Sequence, residues 1–85
     1  MEQKLDAIEM KVKEIIKNVL QVKAEDIRPE STIENLGGDS LAALGIISGL
    51  EQEFNLEIPD EAARRVDSVA SAIEVIRKLV EQKGL

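Results

Sequence analysis

The chain has 85 residues, enough for one domain. Asp and Glu number 17 against 11 Lys and Arg, a net charge of −6 at pH 7, and there is no histidine, cysteine, tryptophan or tyrosine. These absences exclude a Ser–His–Asp triad, a Cys–His dyad, any His or Cys metal site and disulfide stabilisation. The acidic balance also argues against nucleic acid, whose phosphates need clustered Lys and Arg.

The apolar fraction is an ordinary 44%, but Ile, Leu and Val supply 26 residues and Phe54 is the only aromatic. A chain this short buries only about 60–65% of its unfolded surface, so the expected core is aliphatic and thin, the kind that yields to a guest. Met1 leads into Glu2, Gln3 and Lys4, unlike a signal peptide. The longest uncharged stretch, Ser40 to Leu50, is too short to span a bilayer. Freedom from cysteine suits a reducing compartment. A small, soluble, cytoplasmic, free-standing domain is expected, with no stable membrane insertion and nothing that demands more than a monomer.

From about Glu2 to Leu20, Leu5, Ile8, Val12, Ile15, Ile16, Val19 and Leu20 recur at three-and-four spacing and predict an amphipathic helix. The connection from Gln21 to Asp39 carries Pro29, Ser31, Thr32, Asn35, Gly37 and Gly38 as turn residues, with Val22, Ile27, Ile33 and Leu36 spaced to pin it to the core. A connection this long in so small a domain is often functional. A second helix is expected from Asp39-Ser40 to Phe54 or Asn55, with Asp39 as N-cap. Leu56 to Pro59 reads as an extended link and Asp60 to about Arg64 as a short helical turn. The last helix opens on Ser68, aligns Val69, Ala72, Ile73, Ile76, Leu79 and Val80, and ends near Gly84. The fold class is therefore all-α, a small bundle of three main helices plus one short one over a single domain, 1–85.

Ser40 follows Gly37, Gly38 and the capping Asp39 at a helix start. There several backbone N–H groups lack partners, and an anion on the serine oxygen would gain about 0.3–1 kcal/mol. The glycines turn the chain sharply and keep bulk from the hydroxyl. No base is present to activate the serine, and Gly38-Asp39-Ser40-Leu41-Ala42 is not G-x-S-x-G, so hydrolytic catalysis is excluded by the usual route. Ser40 reads as a group that another enzyme modifies. On the residues alone the plainer reading is the stronger one: ordinary first-turn residues after an ordinary turn.

Leu36-Gly37-Gly38-Asp39-Ser40-Leu41 resembles the phosphopantetheine-attachment motif of the acyl carrier protein family. Leu50-Glu51-Gln52-Glu53-Phe54-Asn55-Leu56-Glu57-Ile58-Pro59-Asp60-Glu61 resembles the family's stretch between the second and third helices, so the likeness covers essentially the whole chain. The resemblance implies a carrier, not an enzyme. A phosphopantetheinyl transferase would join 4′-phosphopantetheine from coenzyme A to Ser40, with Gly38, Asp39 and Leu41 around it. The arm's thiol would hold acyl groups as thioesters for acyl-chain synthesising or transferring enzymes, in fatty acid or related lipid biosynthesis. A carrier of polyketide, peptide or other specialised metabolism is the alternative, and an unmodified helical interaction module is the competitor from another class.

A helical wheel sets Ala43, Ile47, Leu50 and Phe54 on the core stripe of the second helix, flanked by Leu44 and Ile46. It sets Leu41, Ala42, Gly45, Ser48, Gly49 and Gln52 opposite. The resemblance implies acids on that outward face, yet no charge occurs between Asp39 and Glu51; acids gather instead at Glu51, Glu53, Glu57, Asp60 and Glu61. The expectation is a specialised carrier whose partners meet Leu41 and approach the backbone at Gly45 and Gly49, relying on shape more than charge. The acids lack the spacing of a calcium loop, and no metal is expected. Arg64, Arg65, Arg77 and Lys78 read as solvated charges. Ile47, Leu50, Phe54, Ile58, Ala63, Val66 and Ala72 are the expected surroundings of a stored acyl chain.

Overall fold

A computed structural model describes the backbone of residues 2–82 and the side chains of residues 7–82; the expected helix end at Gly84 and the side chain of Leu5 lie outside the described residues. Helix α1 spans Glu2–Leu20, α2 Ser40–Phe54, α3 Asp60–Ala63 and α4 Val69–Gln82, with one 3-10 turn at Ala24–Asp26. Among the described residues the only sheet-like pairing is an isolated antiparallel bridge between Thr32 and Ser68. Among the described residues no helix is long and apolar enough to cross a membrane. The all-α bundle of three long helices and one short one is what forms.

Local chemistry sets the ends of these helices. Asp39 Oδ1 accepts from the Ala42 N–H at 2.9 Å and starts α2. At the other end Asn55 turns left-handed (φ 52°) and the Leu56 N–H reaches back to Glu51 O at 3.1 Å. Gln21 (φ 56°) closes α1 in the same way, its neighbour Val22 donating to Lys17 O at 3.2 Å. Ser68 and Ser71 cap α4 reciprocally: the Ser71 N–H donates to Ser68 Oγ and the Ser68 N–H to Ser71 Oγ. The next two amides of α4, on Val69 and Ala70, donate to Ser31 O and Pro29 O, so the long connection completes the cap.

Helix α1 is the element on which both α2 and α4 pack. Val12, Ile16, Ile46, Leu50, Val69, Ala72 and Ile76 are wholly buried, and among the described residues every buried one is apolar. Ile27 and Ile33 are buried as well, with Val22 and Leu36 half-buried, so the connection is pinned as its sequence predicts. Phe54 is only half-buried, leaving an entirely aliphatic core. Val75, absent from the predicted stripe of α4, is buried too.

The structure corrects the orientation of α2. Ile46 and Leu50 have no exposed surface, whereas Leu44, expected at the core's flank, is 64% exposed. The buried direction is turned by roughly 60° from the predicted stripe, towards Gly45 and Gly49. A Cβ on Gly45 would lie 3.4 Å from Val19 Cγ1, and one on Gly49 3.0 Å from Ile15 Cγ2. The two glycines therefore admit α1, not a partner enzyme, to the α2 backbone. Ala42 is half-buried with them, while Leu41, Ser48 and Gln52 keep the exposure expected of them.

Two of the displaced acids do structural work. Glu51 Oε2 accepts from the Ile58 N–H at 2.8 Å and holds the link to α3. Glu53 Oε2 accepts from Lys11 Nζ at 2.7 Å, tying α2 to α1. That hydrogen bond, and then the Glu53 charge, raise the Lys11 pKa above its usual value. The pair's contribution is present below the ordinary lysine pKa and is lost as pH climbs through the raised one.

Gly45 sits at ordinary contact distance, so Gly45→Ala should raise unfolding stability by about 1 kcal/mol through helix propensity alone. Gly49→Ala should gain less, because its new methyl meets Ile15 at 3.0 Å. Urea unfolding of both variants measures the contrast; a larger gain at Gly49 would contradict this packing.

Candidate functional site

Ser40, the first residue of α2, is exposed, and its hydroxyl bonds to no described residue. Its setting begins in the connection. Ile33 is buried, and its carbonyl accepts from the Gly38 N–H at 2.8 Å while its own N–H donates to Asp67 O at 3.0 Å. Gly37 takes φ +90°, in the left-handed region where a side chain is strained, with open space around it.

Gly38 has a different reason to be glycine. A Cβ there would lie 2.5 Å from Ile33 Cγ2 and 2.8 Å from Leu20 Cδ2. It seats the turn against the core; of the two roles expected of the glycine pair, turning the chain falls to Gly37, and Gly38 is occupied with core contact instead of clearing space at the hydroxyl. Asp39 follows as N-cap, exposed, using the Ala42 N–H and leaving the amides of Ser40 and Leu41 without a partner among the described residues. These two donors and the dipole of α2 favour an anion on the Ser40 oxygen.

Two grooves open beside Ser40 and share Ser40 and Ala43. One, about 390 Å³, runs towards Thr32, Val66 and Asp67. The other, about 410 Å³, lies between α2 and α3 and is walled by Leu44, Ile47, Ala63, Asp60 and Arg64. The site can accept a bulky substituent: the hydroxyl is exposed, partnerless and open on two sides. No lysine or histidine lines either groove; the titratable groups there are Glu34, Asp39 and Asp67 in the first and Asp60 and Arg64 in the second. A further groove, about 510 Å³ and bordered by Met10, Lys11, Lys13, Lys17 and Ile27, does not include Ser40.

Of the predicted site residues, Gly38, Asp39, Ser40 and Leu41 are consecutive, but only the first three line a groove with the hydroxyl. Leu41, 77% exposed, faces solvent beside it. The groove between α2 and α3 takes two of the seven residues expected around an acyl chain, Ile47 and Ala63. Leu50, Ile58, Val66 and Ala72 are buried in the core. Sequence reading missed Leu44 and Arg64 as neighbours of Ser40. Leu44 followed from the misjudged rotation of α2, and Arg64 is the C-cap of a helix of four residues, too short to show a period. Among the described residues no three acids are grouped so as to hold a cation.

The family model described as phosphopantetheine attachment site matches residues 11–76, which is most of the chain and includes both grooves and Ser40.

Gly38→Ala should cost about 1–3 kcal/mol of stability by overpacking, and Gly37→Ala about 1–2 kcal/mol by backbone strain. Denaturant unfolding gives the magnitudes. Methyl resonances of Leu20 and Ile33 should move in the first variant only.

Proposed function

Because the chain belongs to the phosphopantetheine-attachment family of acyl-carrier-type domains, in which 4′-phosphopantetheine is the attached group, we propose that Ser40 is the attachment residue of an acyl carrier. The observation that carries the reading is the exposed, unbonded Ser40 hydroxyl at the start of α2. Modification by a phosphopantetheinyl transferase forms a bond from Ser40 Oγ to the β-phosphorus of coenzyme A. The bond from that phosphorus to the adenosine 3′,5′-bisphosphate half breaks, and the serine proton leaves to a base on the transferase. The chain's part is to hold the hydroxyl out: Gly37 makes the turn, Gly38 fixes it to the core, and Asp39 starts the helix. The Ser40 and Leu41 amides then face the new phosphodiester. Once bound, the arm supplies the thiol that this cysteine-free chain lacks, on which acyl groups ride as thioesters.

The protein acts as a single carrier domain, not as an enzyme, in the cytoplasm, handing acyl groups to synthesising or transferring enzymes of fatty acid or related lipid biosynthesis. Service in polyketide, peptide or other specialised metabolism is the second reading, and one observation favours it: the exposed part of α2 nearest Ser40 presents Leu41 and Leu44, at 77% and 64% exposure, with no charge before Glu51. Partners that meet this face gain little electrostatic steering and depend on apolar contact. Glycine-mediated approach of a partner to α2 is not part of this reading, since α1 occupies that side.

Incubation with coenzyme A and a broad-specificity transferase should add the mass of one phosphopantetheine to the protein and none to Ser40→Ala, whose circular dichroism should remain helical. An unmodified wild-type chain would support the interaction-module reading instead. Leu41→Asp in the loaded carrier should lower partner kcat/KM by about tenfold, the order of one lost apolar contact. Wild-type turnover should fall by less than about threefold between low and moderate salt. A steep salt dependence would mean that charge governs docking.

A further inference from the structure

The two grooves that meet at Ser40 differ sharply in charge. On one side Glu34, Asp39 and Asp67 contribute three carboxylates, and no lysine or arginine lines the groove. On the other, Leu44, Ile47 and Ala63 form an apolar wall whose charged members are Asp60 and Arg64. The Arg64 side chain is exposed, and its guanidinium bonds to no described residue; even Asp60, one helical turn earlier, is not paired with it. Its five donors are therefore free beside the serine.

A phosphodiester on Ser40 Oγ carries one negative charge, and the arm continues through a methylene to a carbon bearing two methyl groups. The carboxylate-lined groove repels the charge and offers the methyl groups less apolar surface than the other does. The other groove offers a guanidinium suited to two phosphate oxygens at once, with an aliphatic wall next to it. We propose that Arg64 is a positioning residue that draws the arm's phosphodiester, and with it the arm, into the groove between α2 and α3 and away from the acidic groove. The inference rests on the carrier reading above. It assigns a preference between two paths, and an exposed pair of this kind shifts such a preference by roughly twofold to fivefold.

The test uses the full chain, loaded to completion and verified by intact mass, with amide and arginine side-chain NMR shifts compared between the unloaded and loaded forms. In the wild type the changes should concentrate at Leu44, Ile47, Ala63 and the Arg64 Nε–H and be small at Thr32, Glu34 and Asp67. Arg64→Glu, compared with its own unloaded form, should reduce the changes at Leu44 and Ala63 by about twofold or more, and Arg64→Lys should restore much of them. Raising the salt should act on the wild type in the same direction as Arg64→Glu. Changes centred on Thr32 and Asp67 in the wild type, or an unaltered pattern in Arg64→Glu, would overturn the inference while leaving the carrier reading intact. Failure of the wild type to gain the mass would overturn both.

Discussion

The architecture around Ser40 depends on the contact of Gly38 with Ile33 and Leu20. A methyl group in place of the Gly38 hydrogen would stand 2.5 Å from the one side chain and 2.8 Å from the other, so the chain is pressed against the core immediately before it turns into α2. Asp39 can cap the helix because Gly38 has already fixed where the helix begins. The serine is then exposed not through looseness but because the residues on its N-terminal side are tightly seated. A presented hydroxyl needs such an anchor, since burial of a few aliphatic side chains is all that holds a domain of this size together.

Much of this was legible in the sequence wherever the governing interactions are local. The bounds of α1 follow from its apolar period, the start of α2 from Asp39, its end from Asn55, and the start of α4 from Ser68. The pinning of the long connection by Ile27 and Ile33 was readable as well. The rotation of α2 was not. From Leu41 to Leu50 its residues are apolar or small all round except Ser48, so a wheel has little contrast from which to choose a face. The deciding information lies in Val19 and Ile15 of α1, which pack against the α2 backbone at Gly45 and Gly49, Ile15 so closely that a Cβ on Gly49 would lie 3.0 Å from it. The left-handed Gln21 and the neighbours that α3 brings to Ser40 likewise depend on contacts distant in sequence.

The charge pattern gains a physical meaning once the helices are in place. Acids at the end of α2 are not simply a surface field, because Glu51 is committed to the backbone of Ile58 and Glu53 to Lys11. The beginning of α2 is left to apolar side chains, and Arg64, which caps the end of α3, is the cation of the groove between α2 and α3 that Ser40 also lines. Family membership thus describes the kind of domain, while these few side chains distinguish its surface.

Ile33 is bonded by its backbone in two directions, its N–H to Asp67 and its carbonyl to Gly38. One peptide unit on either side of a buried isoleucine therefore couples the turn between α3 and α4 to the base of the serine, like a short strut between a wall and a post. Any movement that carries that turn outward must either snap one of two hydrogen bonds or tow the foot of α2 along with it.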